Sequence, residues 1–364
     1  MNLQYFDYKY SFPLESGESL PGFRLAYTTR GTLNSDQSNV VWVCHALTGN
    51  ADAGDWWGGM VGPGKYFDPE PTAKSGDFIV CANVIGSCYG STGPLSVNLT
   101  TGQPFYHDFP MVTIRDIVAA LDLLRQELGI EKIHTCIGGS VGGEQAVEWA
   151  ILQPNLIDNL VVIAASAIAS PWSIAFNEAQ RMAIEADPSW TERRDDAGLA
   201  GMKAARAMAM ISYRNYDTYG FTQALDNNEQ LDNYKSAGYQ RYQGEKLADR
   251  FNSFTYWALS KVMDSHNVGR NRGSIPNALG QVKARTLVVG IRSDLLFPPL
   301  EQQFLARHIP DAAYEEIDSL YGHDGFLIEF RPLTGIIRKW MASAASADGV
   351  PVLNSLKTSS QPVK

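Results

Sequence analysis

Short apolar runs that alternate with helix-like stretches constrain this chain more than any other feature. Residues 39–44 (NVVWVC), 77–83 (DFIVCAN), 132–137 (KIHTCI) and 159–165 (NLVVIAA) are rich in Val, Ile or Cys and are bounded by Gly, Asn, Pro or His. Strands buried on both faces read this way, whereas half-solvated strands alternate apolar with polar residues. Residues 113–126 (TIRDIVAALDLLRQ) repeat apolar side chains at three- and four-residue spacing behind a Thr suited to cap a helix. A second helix is expected over about 141–152, stopping before Pro154. This alternation predicts an α/β protein with a mostly parallel sheet flanked by helices. From about 171 to 283 the strand-like runs vanish, and Met, Ala, Tyr, Gln and charged residues follow helical patterns. Runs at 285–291 (RTLVVGI) and 313–317 (AYEEI) then restore the strand signal. A helical insertion within one sheet explains that return better than two sequential domains. The expected organisation is a core of residues 1–170 and 284–341, a helical lid over 171–283 inserted after the sixth or so strand, and a flexible tail over 342–364 rich in Ser, Ala and Lys.

Composition removes several function classes. The 364 residues carry 39 acidic and 30 basic side chains, a formal charge of −9, which does not suit nucleic-acid binding. With 45% hydrophobic residues the chain is not a disordered one. No window approaches about 18 consecutive apolar residues, so no membrane association is expected. The first twenty residues lack the basic-then-apolar layout of a signal peptide. Four cysteines do not make a disulfide scaffold, and Cys44, Cys81 and Cys136 fall inside apolar runs as reduced, buried thiols would. A soluble cytoplasmic protein fits these features. No C-x-x-C, H-E-x-x-H or H-x-H pattern occurs, so no metal site is expected. Residues 59–66 approach a phosphate-binding loop, but Tyr66 stands where the Ser/Thr metal ligand belongs and no strand precedes them.

The chemistry concentrates around Gly138-Gly139-Ser140-Val141-Gly142, a G-x-S-x-G element between an expected strand and an expected helix. Such a turn displays a serine oxygen at the sheet edge beside a helix N-terminus that favours developing negative charge. A serine hydroxyl is a weak nucleophile at neutral pH and needs a base and an orienting acid. In chain order these should follow as Asp or Glu, then His. Asp294 follows the run 285–291, and His323 follows the run 313–317, so both belong to loops at strand ends. Of six histidines, His45 is the rival base, since it also ends a strand. His134 lies within a run, and His107, His266 and His308 lack that context. An oxyanion needs two donors. The N–H of Val141, directly after the nucleophile, supplies one, and the loop His45-Ala46-Leu47-Thr48-Gly49 is placed to supply the other through Leu47. On this reading His45 shapes the loop.

Further motifs occur in order: 45–49 (HALTG), 62–65 (GPGK), 81–83 (CAN), 88–94 (CYGSTGP), 138–143 (GGSVGG), 211–214 (ISYR), 263–264 (MD), 296–299 (LFPP) and 322–324 (GHD). Together, over roughly residues 20–340, they resemble the homoserine O-acetyltransferase family of α/β-hydrolase-fold enzymes. The resemblance implies a catalytic triad of Ser140, Asp294 and His323, with an acyl-serine formed from acyl-CoA and then transferred to the hydroxyl of a small amino acid. It implies Arg214 for the acceptor carboxylate, Asp324 for its amino group, no bound cofactor beyond acyl-CoA as co-substrate, and a homodimer. Acetyl-CoA with L-homoserine, in methionine biosynthesis, is the leading expectation; a succinyl donor, a serine acceptor or an esterase activity are the alternatives. Val141 and Glu144 stand where Met is common, and Gly325 where Ala is usual, changes expected to touch the substrate walls. The lid is nearly charge-balanced, so Arg181, Arg193, Arg194, Lys203, Arg206 and Arg214 are its candidate contacts for an anionic CoA.

Overall fold

Eight of the strands lie in one sheet: β1 (Gln4–Tyr8), β2 (Phe23–Arg30), β3 (Val40–Cys44), β4 (Phe78–Ala82), β5 (Ile133–Gly139), β6 (Ile157–Ile163), β7 (Arg285–Ile291) and β8 (Ala312–Ile317). Their spatial order is β1-β2-β4-β3-β5-β6-β7-β8. The computed structural model that shows this describes residues 2–73, 76–225 and 227–347. Strands β3 to β8 are mutually parallel, while β1 and β2 join antiparallel at one edge. Every side chain of β3 is buried, as are nearly all those of β5 and β7, which accounts for their unbroken apolar runs.

Helices cover both faces. Helix α1 (Ile114–Glu127) opens on a capping box, in which the Thr113 side chain accepts from the Asp116 N–H and the Asp116 carboxylate accepts from the Thr113 N–H. Helix α2 (Val141–Leu152) runs from the end of β5 through the middle of the core and buries every residue from Val141 to Ile151. On it Trp149 meets Trp42 of β3 edge to face, with centroids 4.9 Å apart.

Between β6 and β7 the described residues form helices: α3 (Pro171–Glu185), α4 (Leu199–Tyr213), α5 (Tyr216–Thr222), α6 (Lys235–Ala248) and α7 (Ser253–Asp264), with a short one at Ile275–Leu279. Helix α4 packs against both α3 and α6. The helical segment therefore follows the sixth strand of the main sheet. Helix α8 (Pro299–His308) returns to the sheet, and α9 (Phe330–Ala347) closes the described chain. This last helix extends past residue 342, where a flexible tail was expected to start, because its apolar face, with Leu333, Ile337 and Trp340, is buried. The rest of that expected tail, 348–364, lies outside the described residues. Among the described residues no helix is long and apolar enough to cross a membrane.

Strand order decides where a site can form. The chain reverses its direction of travel across the sheet between the adjacent strands β3 and β5, and open α/β sheets bind ligands outside the carboxyl ends of strands at such a point. Because β3, β5, β7 and β8 are parallel, the segments carrying Leu47, Ser140, Asp294 and His323 all emerge at that edge.

Candidate active site

Ser140 links β5 to α2 with φ +56° and ψ −132°, a backbone region that costs a non-glycine residue about 1–3 kcal/mol. Neighbouring chain segments hold it there. Its N–H donates to the Ile163 carbonyl at 2.9 Å, and its own carbonyl accepts from Gly143 at 2.8 Å. The flanking glycines are required by close approach. A Cβ on Gly138 would lie 2.2 Å from the Gly142 carbonyl oxygen, and one on Gly142 would lie 2.2 Å from that of Cys44.

His323 sits against this turn. Its Nε2 is 2.8 Å from Ser140 Oγ, and its Nδ1 is 2.7 Å from Asp294 Oδ2. The other oxygen of Asp294 accepts from the N–H groups of Leu296 and Phe297 at 2.8 and 2.9 Å, which fixes the carboxylate. All three residues are buried. The rings of Phe297, Phe326 and Tyr213 surround the imidazole with centroids 5.2, 5.5 and 5.9 Å away. Burial alone would lower the His323 pKa, but the charge and hydrogen bond of Asp294 outweigh it and hold the imidazole above the ordinary histidine value.

The rival histidine is committed elsewhere. His45 Nε2 accepts from the Val84 N–H at 3.1 Å, so Nδ1 carries the proton and donates to the Ala46 carbonyl at 2.8 Å. Burial pushes its pKa down to about 4, so it stays neutral and braces the loop. Cys44 and Gly138 are register partners, which brings that loop beside the serine turn. The Leu47 N–H makes no backbone hydrogen bond among the described residues. Val141 is the first residue of α2, where an N–H has no acceptor within the helix. Neither N–H is thus committed to a backbone acceptor among the described residues.

The segments beyond the sheet complete the site. Arg214 ends α4, and its Nη2 is 3.1 Å from Asp324 Oδ2, the residue after His323. Nε and Nη1 of Arg214 are buried without hydrogen-bond partners among the described residues. The Trp172 indole donates to the Leu295 carbonyl at 2.7 Å, tying α3 to the loop that carries Asp294. Thr218 of α5 donates to the Leu320 carbonyl, just before His323. Arg250 donates to the Thr48 carbonyl at 2.8 Å, reaching the loop of Leu47.

A family model described as the alpha/beta hydrolase fold matches residues 39–330. Homoserine O-acetyltransferase of Cyclobacterium marinum is 50% identical over 327 residues, covering 90% of this chain and 92% of that protein. The chain belongs to the homoserine O-acetyltransferase family. Homoserine O-acetyltransferase of Chlorobaculum parvum is 47% identical over 322 residues, covering 87% of this chain and 88% of that one. The crystal structure of homoserine O-acetyltransferase from Staphylococcus aureus superposes with a TM-score of 0.75 at 30% identity, covering 93% of this chain and 95% of that one.

Several expectations for a homoserine O-acetyltransferase-like site change in the structure. A Cβ on Gly325 would point at Ser319 and Ile291, so this position faces the interior and does not form a substrate wall. Glu144 is buried and accepts from Ser166 Oγ at 3.3 Å, and burial pushes its carboxyl well above the usual carboxylate range. Of the six lid cations, Arg181, Arg193, Arg194, Lys203 and Arg214 form ion pairs, with Glu178 and Asp264, Asp108, Glu192 and Asp196, Glu245, and Asp324 respectively. Sequence reasoning missed Glu301, whose pKa burial and the Asp294 charge raise to about 7. It lies on α8 outside any motif, so no pattern announces it. Tyr213, by contrast, was within reach, since it immediately precedes Arg214 in the ISYR motif.

Proposed function

We propose that this chain transfers an acetyl group from acetyl-CoA to the side-chain hydroxyl of L-homoserine, releasing CoA and O-acetyl-L-homoserine, as a step in methionine biosynthesis. His323 Nε2 removes the Ser140 Oγ proton as the oxygen attacks the thioester carbonyl carbon. The oxyanion that forms accepts hydrogen bonds from the N–H groups of Leu47 and Val141, each such donor contributing about 3 kcal/mol. The carbon–sulfur bond breaks, His323 returns the proton to the CoA sulfur, and acetyl-Ser140 remains. The homoserine hydroxyl then gives its proton to His323 and attacks the ester, and Ser140 leaves with that proton. Asp294 keeps the imidazole in the tautomer that exposes Nε2 to Ser140 and stabilises the imidazolium.

The Arg214–Asp324 pair next to His323 carries this reading. A zwitterionic acceptor needs one cation for its carboxylate and one anion for its ammonium group, and these two side chains offer both beside the base. A simple hydrolase has no use for that arrangement, because water needs only the triad. The buried triad under the helical segment also restricts water, which transfer requires. Residues 171–283 act on this reading as the lid over the core of 1–170 and 284–341. No cofactor is needed beyond acetyl-CoA as co-substrate. Ile211, Tyr216, Phe221 and Leu231 are exposed apolar side chains of the lid, and they support a homodimer formed through it. Free, buried Cys44, Cys81 and Cys136 fit a cytoplasmic enzyme, where acyl-CoA is available.

The test is a matrix of acetyl- and succinyl-CoA against homoserine and serine, read as thiol release. Acetyl-CoA with homoserine should release CoA far faster than any other pair and far faster than acetyl-CoA alone. Equal release without an acceptor would establish a hydrolase instead.

A further inference from the structure

Arg250 follows helix α6 of the helical segment, yet it reaches the loop that carries Leu47. Its Nη1 donates to the Thr48 carbonyl at 2.8 Å and also to the Tyr89 hydroxyl. The core braces the arginine in return. The Cys88 thiol donates to the Arg250 carbonyl at 3.8 Å, and the Tyr89 ring lies 5.8 Å from that of Phe251. The two ends of the loop are anchored within the core itself. Gln145 Nε2 donates to the His45 carbonyl at 3.1 Å, and the Trp56 indole donates to the Asn50 carbonyl at 2.9 Å. The middle is different, because among the described residues the Thr48 carbonyl accepts from Arg250 alone.

Two peptide groups connect that contact to the oxyanion donor. The carbonyl that Arg250 holds belongs to the peptide joining Thr48 to Gly49. The N–H of that same peptide donates to the Ala46 carbonyl at 2.8 Å. The Ala46 carbonyl in turn belongs to the peptide whose N–H is that of Leu47, and its oxygen also accepts from His45 Nδ1 at 2.8 Å. In a planar trans peptide the C=O and N–H point opposite ways, so fixing one fixes the other. The direction of the Leu47 N–H is thus set by His45 from the core and, through Gly49, by Arg250 from the helical segment. Hydrogen bonds in such a chain polarise one another, and a guanidinium at its head adds a fixed positive charge.

We propose that Arg250 is a positioning residue of the oxyanion hole, which aims and polarises the Leu47 N–H through the Thr48–Gly49 and Ala46–Leu47 peptides. The inference rests on the assignment of Leu47 as an oxyanion donor and names the residue outside the core that completes it. Both half-reactions pass through a tetrahedral oxyanion, so both should depend on Arg250. An arginine keeps its charge throughout the working range, so the dependence should be the same at every pH.

The test compares Arg250→Gln and Arg250→Lys with the unmodified enzyme in three steps: acetylation by acetyl-CoA, acetylation by p-nitrophenyl acetate, and transfer from acetyl-Ser140 to homoserine. Rates are taken per active site, counted by the p-nitrophenolate burst, so that a partly unfolded preparation does not mimic the effect. Loss of a whole oxyanion donor costs about 10²- to 10³-fold, and a misaimed one should cost less. Arg250→Gln should therefore slow all three steps by about 10- to 100-fold at saturation, with half-saturating concentrations within about twofold. The acid limb should stay where it is, and Arg250→Lys, which keeps the charge and a donor, should recover most of the rate. Should Arg250→Gln fail to fold, Arg250→Met also removes the charge and the donors and gives the same readings. A raised half-saturating concentration for acetyl-CoA, with p-nitrophenyl acetate unaffected, would make Arg250 a contact for the CoA phosphates and overturn the proposal. Unchanged rates, or equal impairment by Gln and Lys, would overturn it as well. A crystal structure of the unmodified enzyme phosphorylated on Ser140 by diethyl p-nitrophenyl phosphate separates the two levels. A phosphoryl oxygen on the Leu47 N–H, with full activity in Arg250→Gln, excludes Arg250 alone; a phosphoryl oxygen away from Leu47 means that the donor assignment itself fails.

Discussion

Helix α2 starts at the site and α4 stops there, and they are built in opposite ways. Helix α2, behind Ser140, is buried on every side from Val141 to Ile151. Helix α4, ahead of Arg214, buries Gly201, Met202, Ala205, Ala209 and Met210 but exposes Met208 and Ile211. A helix enclosed all round cannot shift without disturbing the sheet, so it suits a nucleophile that must meet His323 within a hydrogen bond. A half-exposed helix can move at less cost, so it suits residues that must part and re-form around an acceptor. On the proposed reading the sheet carries the bond-making groups, and the inserted helices supply Arg214 for recognition.

This division can be broken by experiment. The largest effect should come from the core. Ser140→Ala should lower CoA release by roughly 10⁴-fold or more in the acetyl-CoA and homoserine assay, with no acyl-enzyme formed. An active variant would move the nucleophile elsewhere. Arg214→Ala should raise the homoserine KM by about 10- to 100-fold, the worth of a charge-assisted hydrogen-bonded pair, while acylation changes by less than about threefold. Equal damage to both half-reactions would erase the distinction between the regions.

A smaller effect should appear with pH. His323 accepts a proton only when neutral, and Asp294 holds its pKa above the ordinary value of 6.5. The rate of acylation should therefore fall as pH drops through a value above 6.5, and an acid limb below that would contradict the charge coupling. Helix caps give the smallest contrast. Thr113 caps α1 of the core and Asn215 caps α5 of the lid, each through a capping box. Thr113→Ala should cost about 1 kcal/mol in global unfolding by denaturant. Asn215→Ala should leave that midpoint nearly unchanged and raise the homoserine KM, because Asn215 follows Arg214 directly. The reverse pattern would place the rigid element in the lid.

The sequence made the parallel part of the sheet legible because β3 to β7 are enclosed by helices and read as apolar runs. Strand β1 (QYFDY) escaped because it is an edge strand with one half-solvated face, and β2 (FRLAYTTR) because Arg and Thr break its apolar run. Ser140, Asp294 and His323 were visible through strand-end position and chain order, and the structure brings them within hydrogen-bond distance. Pairing between Arg214 and Asp324 was not visible, since it joins segments 110 residues apart through the docking of a helical insertion. Neither was the commitment of His45 to Val84 and Ala46, which depends on how two loops fold over each other.

Transfer through Ser140 is tested most directly by mixing the protein with acetyl-CoA in the absence of homoserine and weighing the peptide that contains Ser140. One acetyl group should be found on that serine, and it should disappear on addition of homoserine as O-acetyl-L-homoserine forms. Steady turnover with an unmodified Ser140, or an acetyl group that homoserine does not remove, would contradict the mechanism.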